Sequence, residues 1–453
     1  MSTQDTEDTR LTARLTLPGV VVFGLSYMAP AIVVSTFGVI AVATHGTAPS
    51  GYLLATVAML LTALSYGKMA RLFPVSGSVY TYARKMLDAR VGFLAGWAIL
   101  LDYFFLPMVA WLIQSVYLNA QFPAVPVWVW LVGNIVLTTL INVLGLVVAD
   151  RVNRILMALT LSGLVVLVGF CVHYLATGPA TSPGAAFWNP VSGISAISAG
   201  AAIAAYSFLG FDAVSTLSEE TRNPRRTIPR AIVLTVLAGG VIFVGLSFVM
   251  QWVHPGDRFD DPSSAGYAMS TLVGGKTFAD VINVVTLIGG FASGLTIQAS
   301  TSRLLYVMGR DGVLPRRFFG HLHRKLRTPV PNLLLIGAAA LLALNLSVET
   351  ATSFINFGAF LGFTLVNLCV LAYFVRQRRA GAKPGIFTHV LVPLAGAAVD
   401  VYLLTQLSPV ARYLGLGWLV LGLVYLTVLT RGFRKAPPEF EMTDREPVRE
   451  SAS

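Results

Sequence analysis

The sequence predicts an all-α membrane protein of twelve spanning helices, and three observations carry that prediction. Hydrophobic residues make up 55% of the 453-residue chain and charged residues only 12%, about half the charged share of a soluble protein. The apolar residues fall into runs of about 20 or more, long enough to cross roughly 30 Å of hydrocarbon. The 32 Lys and Arg residues gather in alternate gaps between those runs.

Taken in order, the first run, 18–44, contains GLSYMAP at 24–30. Pro30 removes a backbone donor and crowds the preceding turn, so the helix is expected to open around 26–29. The second run is 50–72. The third, 91–119, carries Asp102, which sits roughly 16 Å deep counting from Val91, near the midplane. The fourth and fifth are 126–149 and 153–176. In the sixth, 193–218, a hydroxyl and a glycine interrupt the apolar run near 207–210, and Asp212 follows at a similar depth. Four more runs are 230–252, 278–308, 331–346 and 350–375. The last two are 386–407, which holds Asp400, and 411–430. Interruptions in the first and sixth runs, five apart, suggest two inverted five-helix repeats, 18–176 and 193–375, followed by two extra helices over 386–430. Residues 1–17 and 431–453 read as polar tails, and no connecting segment is long enough for a soluble domain.

With both ends assigned to the cytoplasm, the outer loops hold only Arg258, Lys276 and Arg412, against 29 basic residues on the inner side. That asymmetry is the positive-inside signature of a multi-pass inner-membrane protein. The net charge of +11 is therefore topological, a contact with anionic lipid rather than a nucleic-acid footprint. Enzyme chemistry finds no foothold. Val273-Gly274-Gly275-Lys276-Thr277 ends like a phosphate loop, but Ser270 stands where the first glycine is required. Cys171 and Cys369 fall within spans and read as small apolar side chains. No cofactor or metal is expected.

What remains is a set of buried acids: Asp102, Asp212 and Asp400. The middle third of each span lacks Lys and Arg, and an ionised acid there costs at least about 2.5–3.5 kcal/mol. Each acid must be protonated, hydrogen-bonded, or matched by a cation that arrives from outside. Asp212, beside interrupted backbone, reads as functional. Asp102 reads either so or as a structural acceptor, and Asp400 as an interface residue. Interrupted helices at membrane depth line cavities, and their free carbonyls attract ammonium groups.

Several segments carry a resemblance: RLFPVSGSVYTY at 71–82, SFLGFD at 207–212, SEETRNP at 218–224 and SRLLYVMGRD at 302–311. With LDY at 101–103 and NFGA at 356–359, the chain resembles the amino acid–polyamine–organocation superfamily over almost its whole length, in the manner of bacterial putrescine importers. The resemblance implies a leucine-transporter-like core. It also implies secondary active import of a small organic amine such as putrescine, by proton symport through alternating access. Carried over, the substrate site would comprise Ser26, Tyr27, Met28, Ala29, Asp102, Tyr103, Tyr206, Ser207, Phe208, Leu209, Gly210 and Asp212. Tyr206 would act as a gating aromatic, and Asp212 and Asp102 would couple to protons. Glu219, Glu220, Arg222, Lys68 and Arg71 would form the cytoplasmic gate. Two departures bear on the cargo. Tyr27-Met28-Ala29-Pro30 replaces the glycine-rich break that holds a carboxylate in amino acid carriers, which favours an amine. Ser35, in STFG, replaces an acid of the putrescine importers, which counts against a diamine. An amino acid permease stays open as the rival reading, and a channel or a sensor as readings from other classes.

Overall fold

In the computed structural model, the first apolar run is two helices, α1 (Leu17–Met28) and α2 (Ile32–Ala43), bent by 51°. The description covers residues 15–74, 78–145, 150–178, 182–323, 325–326 and 328–438. The break falls at 29–31, later than the expected 26–29. The reason is directional. Pro30 deprives the Ser26 carbonyl of its donor, but the N–H groups of residues 26–28 still point back into intact helix. Ala29 takes a left-handed backbone, φ 47°, and its N–H reaches the Ser26 carbonyl at 3.3 Å.

The chain continues through α3 (Ala48–Leu72), α4 (Ser78–Met86), α5 (Ala89–Gln121), α6 (Val127–Val143) and α7 (Asp150–Thr177). Next come α8 (Ile194–Ala204), α9 (Pro224–Val253), α10 (Ala265–Arg310), α11 (Arg316–Phe319) and α12 (Val330–Ala340). The last three are α13 (Val348–Arg379), α14 (Val392–Gln406) and α15 (Pro409–Leu429). Among the described residues, nine helices are long and apolar enough to cross a membrane, and the bent α1–α2 pair makes up to ten. Two shorter apolar helices, Val127–Val143 and Val330–Asn345, lie on the fourth and ninth runs. The helix α4 falls where a loop was expected. Its buried face, Val79, Tyr80, Ala83 and Met86, repeats at three to four residues within a polar stretch too short to span. In α10, Gly275 (φ 76°, ψ 174°) separates a first stretch from the eighth run.

The sixth run loses helical geometry where the sequence places its hydroxyl and glycine. After α8, residues Ala205–Phe208 form a 3-10 turn and Leu209 is extended (ψ 132°). Gly210 has φ 108°. A second 3-10 stretch, Ala213–Glu219, follows.

The helix α3 lies along α9 and touches α8, α13 and α14, while α5 packs on α10 and α13. Interhelical hydrogen bonds supply specificity that apolar burial cannot, since lipid is as apolar as the core. Asn142 Nδ2 donates to Gln298 Oε1 at 2.8 Å, and Gln298 Nε2 donates to Thr139 Oγ1 at 2.8 Å. Trp97 and Trp418 each donate an indole N–H to the other's carbonyl, at 2.8 and 2.9 Å, with rings 4.9 Å apart. Asp400 is fully buried and accepts from Thr62 Oγ1 at 2.8 Å and Asn367 Nδ2 at 3.0 Å, joining α14 to α3 and α13. The outward surface is the reverse of a soluble protein's. Val241 and Ile194 are each 74% exposed, with many Leu and Val beside them, a surface suited to hydrocarbon.

Candidate binding site at two broken helices

The two breaks are built against each other. At Gly210 a Cβ would run into the ring of Tyr27, so the last turn of α1 packs directly on the sixth-run break. Only glycine suits both that closeness and the positive φ. Tyr52, on α3, ties the two runs together. Its hydroxyl lies 2.8 Å from Thr36 Oγ1 on α2 and 3.4 Å from Ser207 Oγ in the break. Where the 3-10 turn changes the hydrogen-bond partners of the chain, the Ala202 carbonyl accepts from Asn356 Nδ2 of α13 at 2.7 Å. Just after the break, Tyr66 packs edge-on against Phe211 and Phe363, at 5.6 and 5.9 Å between centroids, and the two phenylalanine rings meet tilted at 5.1 Å.

A third irregularity lies in α5. Pro107 has no N–H for the carbonyl of Tyr103, one turn earlier. Thr301 of α10 donates its hydroxyl to that carbonyl instead, at 2.7 Å. Asp102 is the residue beside it. That residue is 7% exposed, and its Oδ1 is buried without a hydrogen-bond partner.

Two cavities flank this region. The first, about 170 Å3, is bordered by the α1–α2 break, by α5, and by the Thr286–Gly290–Ser293–Ile297 face of α10. The second, about 220 Å3, is bordered by α4, by Gly96 to Tyr103 of α5, by Ala213 and Thr216, and by the end of α10. Phe23 and Tyr27 line both and form the wall between them. The described lining of each cavity lacks charged side chains.

Of the residues expected at the site, Ser26, Tyr27, Met28, Ala29, Tyr206 and Leu209 line the first cavity, and Tyr27 and Tyr103 the second. Ser207, Phe208, Gly210, Asp102 and Asp212 are buried behind these walls. Asp102 and Asp212 lie within electrostatic reach of each other and of Tyr27, Tyr66 and Tyr103. Asp212 is 3% exposed and stands at the start of the second 3-10 stretch, where the Ala213 N–H donates to the Gly210 carbonyl at 3.1 Å. At the basic end, the Leu15 N–H donates to the Glu220 carbonyl and the Arg222 N–H donates to the Leu15 carbonyl, both at 3.0 Å. Lys68 Nζ is buried without a partner, and Arg71 is exposed at the end of α3. The side chain of Glu219 lies outside the described residues. Sequence reasoning passed over Leu106, Ala110, Ile113, Gln114 and Tyr117, which share one face of α5 with Tyr103. Their spacing of three to four residues was a usable signal.

A sequence profile described as amino acid permease matches residues 19–417. The chain belongs to the amino acid permease family. The permease is 39% identical over 444 residues to the low-affinity putrescine importer PlaP of Escherichia coli strain K12, covering 97% of this chain and 98% of that one. It is 27% identical over 410 residues to the branched-chain amino acid permease BcaP of Bacillus subtilis strain 168, covering 85% and 86%. Against the methylthioribose transporter of the same strain it is 27% identical over 409 residues, covering 85% and 87%. The permease is thus a multi-pass membrane protein of a family of transporters.

Proposed function

We propose that the permease is a secondary active transporter that imports a small organic amine, putrescine or a near relative, by proton symport. The observation that carries the reading is the meeting of two broken helices around a cavity, with an unpartnered carboxylate oxygen of Asp102 buried beside it. Carbonyls at the C-terminal end of α1 and the two acids provide negative potential for an ammonium group, and the break residues form the cavity wall. Near-full-length similarity to a putrescine importer supports the same class of cargo.

The transport cycle follows from the two cavities. An amine entering the first cavity meets the wall of Phe23 and Tyr27. Rocking of the bundle closes that side under Tyr206 and opens the second cavity toward the basic face. Asp102 and Asp212 exchange a proton across the cycle. The bridge of Leu15 to residues 220–222, with Lys68, Arg71, Glu219, Glu220 and Arg222 around it, serves as the cytoplasmic gate. In this reading there are twelve spans, arranged as 18–176, 193–375 and 386–430, with both termini cytoplasmic at the inner membrane.

A second reading, import or exchange of a neutral amino acid, is favoured by the uncharged lining of the first cavity and by the similarity to the branched-chain permease. Uptake of labelled putrescine into proteoliposomes, competed by amines and by neutral amino acids, separates the two. The amine reading requires competition by amines and stimulation by an inward proton gradient. Competition by amino acids alone overturns it.

A further inference from the structure

We propose that His45 and Asp257 form a latch across the outer entrance that tightens in acid, so that external pH sets how readily the permease opens to the outside. The inference rests on the topology and transport cycle proposed above and adds what holds the outer side shut.

The two halves of the first broken span are packed unequally. The inner half, α1, buries only Val20, Gly24 and Met28, whereas α2 buries every residue from Val33 to Ala41. The connection from α9 to α10 covers α2. Phe259 meets Phe37 edge-on at 5.8 Å between centroids. A Cβ on Gly38 would run into the Pro262 carbonyl, and one on Gly266 into the Val34 carbonyl. At the tip of α2, His45 and Gly46 turn through left-handed backbone (φ 52° and 83°), and Gly46 lies directly against Gly256. Three connections that the topology places outside meet at this turn. Asn189 Nδ2 donates to the His45 carbonyl at 2.7 Å. Gln251 joins the Ala48 N–H to the carbonyls of His254 and Gly256. The imidazole Nδ1 of His45 lies 3.1 Å from Asp257 Oδ2.

Apart from that last pair, these contacts are apolar or join neutral groups, and pH leaves them unchanged. The titratable and charged groups of the three connections are His45, then His254, Asp257, Arg258, Asp260 and Asp261 between α9 and α10; the stretch 182–193 has none. Asp261 is taken by the Ser263 N–H and the Ser264 hydroxyl, and His254 lies flat on Phe259 with centroids 4.5 Å apart. Histidine is the side chain whose charge ordinarily changes between about pH 5 and 8. Protonated, the imidazole meets the carboxylate as an ion pair; neutral, it keeps a hydrogen bond without the charge. The latch is therefore tightest at the acid end of that range and loosens as pH rises through it. The two side chains are 48% and 37% exposed, so the charge changes the opening equilibrium by only about two- to fivefold. External acid then drives proton symport harder while keeping the entrance shut longer, and uptake levels off as the outside acidifies.

A cysteine at Ala110, on the first cavity, reads the opening in a background of Cys171→Ala and Cys369→Ala, labelled from the outer face of sealed vesicles without cargo or pH gradient. Comparing variants at one pH cancels the pH dependence of the thiol itself. His45→Gln and Asp257→Asn are each expected to label about two- to fivefold faster than the parent at about pH 5.5, and at the parent rate at about pH 8. Ratios near one at both pH values, a raised ratio that is the same at both, or a pH-dependent ratio found only in His254→Gln overturn the proposal. The labelling uses no cargo, so a parent protein that takes up no amine would strike the amine reading and leave the latch to be decided by these ratios.

Discussion

Asp102 and Asp212 share an electrostatic neighbourhood, but their immediate surroundings differ. Asp102 keeps an unpartnered oxygen one residue before the carbonyl that Pro107 leaves without its helical donor, whereas Asp212 stands at the start of a 3-10 stretch. Both are assigned to proton coupling, so Asp102→Asn and Asp212→Asn are each expected to remove the stimulation of uptake by an inward proton gradient while the protein still reaches the membrane. Wild-type stimulation in either variant removes that residue from the coupling scheme. Gly210 is constrained twice, by φ 108° and by the ring of Tyr27. Gly210→Ala should therefore lower stability by about 1–3 kcal/mol, read as a fall in Tm in detergent. Shrinking Tyr27 to alanine should restore only part of it, because the backbone strain remains.

At the scale of elements, the irregularity in α5 and the break in the sixth run are each stabilised by a side chain from another helix. Thr301 replaces the donor that Pro107 lacks, so Thr301→Val should destabilise by about 1–3 kcal/mol. In the double variant Pro107→Ala, Thr301→Val, the restored N–H at 107 can bond the Tyr103 carbonyl, and the loss should shrink. Equal losses in the single and double variants would show that the hydroxyl has another role. Asn356→Leu strips the Ala202 carbonyl of its partner and should likewise cost about 1–3 kcal/mol in thermal unfolding. These features divide in how readable they were. Pro30, and Gly210 followed by Asp212, declared themselves, because a breaker or a charge inside an apolar run is rare and expensive. The exact position of the first break did not, since it depends on which hydrogen bonds a proline removes and which it leaves. The helix α4 was missed because an amphipathic stretch of nine residues between spans looks like a polar loop. Gln114 was missed because a lone amide in an apolar helix resembles the interhelical bonding made by Asn142 and Gln298, and only the cavity beside it tells them apart.

Across the whole molecule, two cavities share one wall, and that wall belongs to the first broken helix. In the proposed cycle that wall, at the end of a half-helix, moves with the break while α3, α9 and the Trp97–Trp418 junction hold the frame. The proposed cycle requires the cavities to open in turn. Cysteines placed at Ala110, on the first cavity, and at Ala213, on the second, report this in a background carrying Cys171→Ala and Cys369→Ala. Their reactivity toward a membrane-impermeant thiol reagent, applied to each side of sealed vesicles with and without saturating amine, is the most direct test. The account predicts reciprocal change, one site becoming more reactive as the other becomes protected. Reactivities that stay fixed, or that rise and fall together, would contradict it.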